Sequence, residues 1–229
     1  MRYLIGVIVS IILITVIQVA VLRWVNPPRS MFMLEREASA WRHQEPHFVL
    51  RNTWCSFSEI SSVMPLAVIA SEDQRFLLHH GFDFDAIRHA EIHNAHSVSI
   101  HGASTISQQV AKNLFLWPGR SYIRKVIEAW YTVLIETMWS KRRIMEMYLN
   151  IAEFGNGIYG VGAAAKQFWH TDAAHLTTIQ ASLLAAVLPS PRRLHADHPD
   201  SYTVHRAAQI AIQMQHLRAE RQYQSLVHH

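Results

Sequence analysis

The sequence predicts a mainly α-helical protein, an N-terminal transmembrane helix followed by a helical domain, on three grounds. Residues 4–22, LIGVIVSIILITVIQVAVL, carry no charge, and such a run is long enough to cross a hydrocarbon core of about 30 Å. Downstream, apolar residues recur at steps of three and four, with no alternating run long enough to build a sheet. Capping residues precede several of these runs, and Gly or Pro follows them. Composition agrees, because a chain of 229 residues, 50% hydrophobic and 17% charged, is neither disordered nor collagen-like. A single cysteine, Cys55, excludes a disulfide framework or Cys-based zinc site and reads as a small buried hydrophobe. A net charge of +4 does not single out nucleic acid, and it suits an anionic membrane or a phosphate-bearing substrate equally.

Taken in order, the first element reads as a retained anchor, residues 1–25. Its apolar run is interrupted only by Ser10, Thr15 and Gln18 and ends QVAVLRWV, without the small-residue cleavage site of a signal peptide. Charge counting does not orient it: Arg23, Arg29, Arg36 and Arg42 follow it and Arg2 precedes it, but long domains translocate largely regardless of such flanks. Asn26, Pro27 and Pro28 break the helix, making residues 26–50 a juxtamembrane connector and 51–229 the folded domain. A helix capped by Ser62, with Pro65 in its first turn, is predicted to enter EDQRFLLHHG and stop at Gly81. Thr105 and Gln108 have capping-box spacing at the start of a second helix. A third, from about Ser121 to Met138, is expected to bury Ile123, Ile127, Trp130, Leu134 and Met138. Ser140 restarts the pattern into KRRIMEMYLNIAEFG, and Thr177 with Gln180 caps a helix stopped by Pro189 and Pro191.

Half of the eight glycines crowd into GNGIYGVG, residues 155–162. The GxGxxG within it is not read as a dinucleotide site, because that motif needs a strand leading into a helix; turn positions with positive φ account for it better. His89, His93, His96 and His101 lack an HExxH pattern, so solvated histidines are favoured over a metal site. The carboxylates say more. Glu72 and Asp73 end an apolar helix between Ile69 and Phe76, where burial would raise a carboxyl pKa toward that of a general base. Glu128 follows Arg124 by four residues and so shares a helix face with a cation that keeps it ionised. One acid poised to take a proton and a second held charged is an arrangement suited to glycosyl transfer or hydrolysis. Only four of the 21 basic residues are lysines, Lys112, Lys125, Lys141 and Lys166, a clustering that hints at sites for a compact charge.

Across residues 51–200 the chain resembles the monofunctional biosynthetic peptidoglycan transglycosylases, relatives of the glycosyltransferase domain of class A penicillin-binding proteins. Five ordered motifs carry the resemblance: EDQRFLLHHG, GASTISQQVAKN, RKVIE, KRRIMEMYLN and GNGIYGVGAAAKQFW. Two departures, Trp169 in place of a Tyr/Phe-type aromatic and histidines across 89–101 where basic residues are common, leave the catalytic groups untouched. The resemblance implies a lysozyme-like helical glycosyltransferase domain with a smaller membrane-proximal lobe, on the periplasmic side of a bacterial inner membrane. It implies polymerisation of lipid II, with inversion and release of undecaprenyl pyrophosphate. By that resemblance Glu72 is the general base and Glu128 the second essential acid. Asp73, Phe76, Ser104, Thr105, Gln108, Gln109, Lys112, Asn113, Arg124 and Lys125 contact substrate, with Lys112, Arg124 and Lys125 on the departing pyrophosphate. His79, Gly81, Glu146, Tyr148 and Asn150 brace the site. No cofactor is obligatory, and a divalent cation, Mg or Mn, is compatible with Glu128. The implied partners are lipid II, the growing glycan strand, membrane lipid and other cell-wall synthesis or division proteins, and not nucleic acid. A membrane-anchored lysozyme-like hydrolase is the alternative, and the Lys112, Arg124, Lys125 cluster argues against it because a hydrolase binds no pyrophosphate. No Ser-x-x-Lys transpeptidase nucleophile occurs, so strand synthesis without cross-linking is expected. Leu114, Phe115, Leu116 and Trp117 are expected to dip into the headgroup region, where Trp is well suited.

Overall fold

The computed structural model describes residues 2–88, 92, 104–119, 121–220, 223, 224 and 226. The expectations for His89, His93, His96 and His101 lie outside the described residues. The described chain is mainly helical: α1 (Arg2–Leu22), α2 (Met31–Arg42), α3 (Val63–Glu72), α4 (Ile106–Phe115), α5 (Tyr122–Met138), α6 (Lys141–Ile151), α7 (Val161–Trp169), α8 (Thr178–Val187) and α9 (Ser201–Arg218). Within α1, Ile5–Leu22 is long and apolar enough to cross a membrane. The stretch expected as a connector carries α2, capped by Ser30 and packed on α4.

Three short strands, β1 (Arg51–Asn52), β2 (Glu153–Gly155) and β3 (Ile158–Tyr159), form a sheet in the order β1-β3-β2. β1 pairs with β3 in parallel and β2 with β3 antiparallel. Strands of two or three residues leave no alternation to read, so the sequence did not announce them. The turn reading of the glycines holds at Gly157 and Gly160, with φ of 73° and 81°, on the hairpin and at the start of α7. Gly162 serves instead for close approach, since a Cβ there would lie 2.5 Å from Cys55 Sγ and 2.7 Å from the Thr53 carbonyl. Cys55 is half-buried rather than sealed in the core, and burial raises its thiol pKa.

The core gathers the apolar faces of α3, α4, α6, α8 and α9. Helix α3 is apolar all round, Met64 to Ala70 being buried without interruption, as a helix enclosed by others must be. It ends at Glu72, earlier than expected. Ser62 makes no side-chain cap, and Asp73 leaves helical geometry because its carboxylate is engaged elsewhere. Both expected capping boxes, Thr105 with Gln108 and Thr177 with Gln180, are formed, and Ser121 and Ser140 cap α5 and α6.

The face of α5 that turns inward matches the expected one only in part: Leu134 is buried and Ile127 and Met138 pack against the core, but Ile123 and Trp130 do not. Tyr131, Leu134 and Ile135 are buried together with Glu128 and Thr132, whereas Ile123, Val126, Trp130 and Val133 are exposed. The helix has two apolar faces, and periodicity cannot say which meets protein. Helix α1 packs along the border of the two faces, beside Trp130 and Tyr131. Trp130 Nε1 donates to Thr15 Oγ1 at 3.1 Å, and the Tyr131 hydroxyl to Gln18 Oε1 at 3.0 Å. Trp139 Nε1 donates to the Val19 carbonyl at 2.8 Å. Arg143 caps the end of α1 through the Leu22 and Val25 carbonyls. Two of the three polar interruptions of the apolar run thus have partners on α5.

Candidate active site

The site grows from the end of α3. Glu72 is the last residue of that buried helix, so its carboxylate loses water and sits at the negative end of the helix dipole. Burial raises its pKa, opposed by a hydrogen bond from Gln109 and by the charges of Arg206 and Lys112. Gln109 Nε2, on α4, donates to Glu72 Oε2 at 3.0 Å. The other end of the same amide, Gln109 Oε1, accepts the Tyr148 hydroxyl at 3.1 Å. Tyr148, on α6, is 1% exposed, and its own pKa is raised well above the ordinary value by burial, with Glu72 and Asp73 adding to the effect.

Asp73 and Phe76, expected to meet substrate, belong to the framework behind Glu72. Asp73 accepts the Ile106 amide at 3.0 Å, a carboxylate at the N-terminus of α4, and His79 Nε2 at 2.9 and 3.0 Å. His79 Nδ1 in turn accepts the Gly81 amide at 3.1 Å, so Nε2 carries the proton that points to Asp73. Gly81, with φ of 92°, gives its carbonyl to the Thr105 hydroxyl at 2.7 Å. Phe76 is fully buried, with Lys141 Nζ 4.6 Å from its ring centroid and donating to the His79 carbonyl at 2.7 Å. The first motif therefore folds as a bonded loop joining α3 to α4, and the fourth motif fastens it. Thr105 and Gln108 are likewise buried in their capping box, while Ser104 is exposed and Asn113 half-buried.

Glu128 lies on the inward face of α5, 2% exposed. Arg124 Nη1 meets Oε2 at 3.0 Å and Lys125 Nζ meets Oε1. Lys112, from α4, is within electrostatic reach of both Glu128 and Glu72, and burial lowers its pKa against their pull. Three cations thus surround one carboxylate. Arg124 Nε is buried without a hydrogen-bond partner among the described residues, a donor that a bound anion would satisfy. Both Glu128 oxygens are taken by cations, and no group of three or more His, Cys, Asp or Glu able to hold a metal occurs among the described residues. The donor set therefore suits an anion better than Mg or Mn.

Glu146 and Asn150 stand away from these charges. Glu146 pairs with Arg143 at 3.0 Å. Asn150 clamps the Cys55 backbone, accepting its amide and donating to its carbonyl, each at 2.8 Å. Two residues at the site were not foreseen. Glu136 accepts from Ser107 Oγ and from Lys141 Nζ, the latter at 2.8 Å. Arg206 Nη2 lies 3.7 Å from Glu72 Oε1. Arg206 sits on α9, whose Asp200 cap was the legible sign of a helix there.

Residues 42–215 match the protein-family model described as Transglycosylase. Among similar curated proteins, a biosynthetic peptidoglycan transglycosylase of Xanthomonas euvesicatoria pv. vesicatoria is 53% identical over 203 residues, covering 89% of this chain and 82% of the relative. One of Xylella fastidiosa is 51% identical over 216 residues, covering 94% of this chain and 89% of the relative.

Proposed function

The chain belongs to the transglycosylase family and is a peptidoglycan glycosyltransferase with a lysozyme-like helical domain, and from that premise we propose how its residues carry out the transfer. Glu72 is the general base. It takes the proton of the GlcNAc 4-hydroxyl of one lipid II as that oxygen bonds to C1 of the MurNAc at the reducing end of the growing strand. The bond from C1 to the pyrophosphate oxygen breaks, its electron pair leaves with undecaprenyl pyrophosphate, and the configuration at C1 inverts. A base so placed contributes ~10²–10⁴ in rate. Among the described residues Gln109 holds Glu72 Oε2, while Oε1 accepts a longer hydrogen bond from Ser71 Oγ at 3.4 Å and lies 3.7 Å from Arg206 Nη2, so Oε1 is the oxygen more open to the hydroxyl.

Lys112, Arg124 and Lys125 hold the leaving pyrophosphate, which then needs no proton donor. Glu128 organises those cations rather than transferring a proton, since both its oxygens are engaged. Asp73, Phe76, His79, Gly81, Thr105 and Gln108 fix the loop that aims Glu72, and Tyr148 fixes Gln109. Glu146 and Asn150 act as braces farther out, while Ser104 and Asn113 remain as substrate contacts. The protein is a single-pass protein of a bacterial inner membrane, with residues 1–25 as anchor and the domain from residue 51 on the periplasmic side.

The observation that carries this reading is the pairing of a buried, raised-pKa carboxylate with a neighbouring three-cation cluster, Lys112 acting on both, in which Arg124 Nε is a buried donor without a partner among the described residues. A hydrolase needs the first and has no use for the second. Purified full-length protein incubated with lipid II should yield lysozyme-sensitive polymer and release undecaprenyl pyrophosphate. Shortening of preformed glycan with no polymer made would establish the hydrolase instead.

A further inference from the structure

Arg206 belongs to none of the five motifs. It reaches Glu72 from α9, the helix that packs on α3 and α8. Its Nη2 stands 3.7 Å from Glu72 Oε1, within ion-pair distance but beyond hydrogen-bond length. Its Nε is buried with no hydrogen-bond partner among the described residues, although the side chain as a whole is 28% exposed. A buried guanidinium N–H left unsatisfied costs free energy, and the arrangement persists because the guanidinium is held beside the carboxylate.

We propose that Arg206 is a positioning residue for the base: it supplies the countercharge along the Oε1 edge of Glu72 while leaving that oxygen's lone pair open to the acceptor hydroxyl. This rests on the assignment of Glu72 as base. A closer bidentate Arg would occupy both oxygens and block proton transfer; with no cation nearby, burial and the helix C-terminus would push the carboxyl further toward its protonated form. At its actual distance the guanidinium favours the ionised form without competing for the proton.

The groups that could mask this effect are few. Lys112 on α4 is the other cation acting on Glu72, and Tyr148 on α6 faces it as a buried phenol. Asp73 is adjacent in sequence and is paired with His79. Helix α8, TIQASLLAAV, has no titratable side chain. On α9 the remaining titratable side chains, Tyr202, His205, His216 and Arg218, are exposed. Among the described residues Arg206 and Lys112 therefore supply the positive charge acting on the base, and Arg206 is the one within ion-pair distance of Oε1.

The test compares Arg206→Gln with Arg206→Lys in full-length protein, reading the pH dependence of kcat/KM for lipid II polymerisation. Losing a cation at this distance should move the acidic limb of Arg206→Gln upward by about one pH unit, a loss of roughly tenfold below the limb that recovers at higher pH. Arg206→Lys keeps the charge and should hold the limb within about 0.3 units. An isotope-edited infrared titration of Glu72, its band identified by disappearance in Glu72→Gln, should show the same shift without substrate. That reading stands apart from polymerisation, so a failure of the Glu72 assignment is distinguishable from a failure of Arg206. An unshifted limb in Arg206→Gln, or equal losses at every pH in both variants, overturns the proposal and leaves Arg206 a packing residue. If Arg206→Gln does not fold, Arg206→Lys alone decides, a full-unit displacement of its limb being fatal.

Discussion

Replacing Tyr148 by Phe tests whether the base is oriented through a relay. The phenol donates to Gln109 Oε1, and Gln109 Nε2 donates to Glu72 Oε2, so the hydroxyl decides which end of the amide faces the carboxylate. Phe fills the same buried volume, so the change removes one neutral hydrogen bond and opens no cavity. Gln109 is only half-buried, and water can recover part of the loss. The stability cost should therefore be ~1–2 kcal/mol, which lowers Tm by roughly 2–8 °C in a chain of this size. Gln109→Ala removes the donor to the carboxylate itself, an interaction of the charged class worth ~1.5–3 kcal/mol; this should raise the acidic limb of kcat/KM by about 1–2 pH units. Tyr148→Phe should move it less, in the same direction. The decisive assay is the double-mutant cycle on the limb position. If the two residues act in series, the double variant matches Gln109→Ala within about 0.3–0.5 kcal/mol. Additive shifts would refute the relay.

Other outcomes follow from the same geometry. Glu72→Gln should lower polymerisation by ~10²–10⁴ without lowering Tm at neutral pH. Burial holds the folded-state pKa of Glu72 above its unfolded value, so the ionised carboxylate costs stability there, and the difference should close as pH falls through the folded pKa; a Tm loss at neutral pH counts against this. Lys125→Ala should cut turnover by ~10² or more, whereas Arg142→Ala, whose guanidinium stacks 4.3 Å from the Phe57 ring centroid, should leave turnover near wild type; steady-state rates compare the two. Gly162→Ala forces a Cβ against Cys55 Sγ and the Thr53 carbonyl. Overpacking of that kind costs about 1–3 kcal/mol, or roughly 2–12 °C in Tm, measurable by thermal melting.

Local chemistry was the legible part of this chain. Ser121 and Ser140 mark their helix starts, the two capping boxes form as spaced, and Glu72 is conspicuous because an acid ends a wholly apolar helix. What stayed hidden depends on contacts between distant segments. Asp73 could be read as a second site acid, yet its partners are His79 and the Ile106 amide, and no sequence pattern marks a backbone N–H across such a loop. Arg206 looks like any surface cation until α9 lies on α3. Ile123, Ile127, Trp130, Leu134 and Met138 fit one buried stripe by spacing, but the stripe divides: Leu134 is core and Ile127 and Met138 pack against it, while Ile123 and Trp130 are exposed, because α5 is apolar on more than one side. The Leu114–Trp117 run divides in the same way: Leu114 and Leu116 are core, Phe115 stacks on Tyr131 at 4.1 Å, and only Trp117 is exposed.

The bond between Trp130 and Thr15 fixes a depth. Thr15 lies seven residues before Leu22, the end of the apolar span, which at 1.5 Å per residue places it about 10 Å inside that end along the helix. With α1 crossing the bilayer as proposed, the exposed apolar face of α5 is immersed to that level, and the enzyme is sunk into the leaflet instead of tethered above it. A lipid-linked sugar then need not be drawn out of the membrane to react. Encounter becomes a search in two dimensions, governed by how many lipid-linked molecules share each unit area of leaflet and how fast they drift past one another.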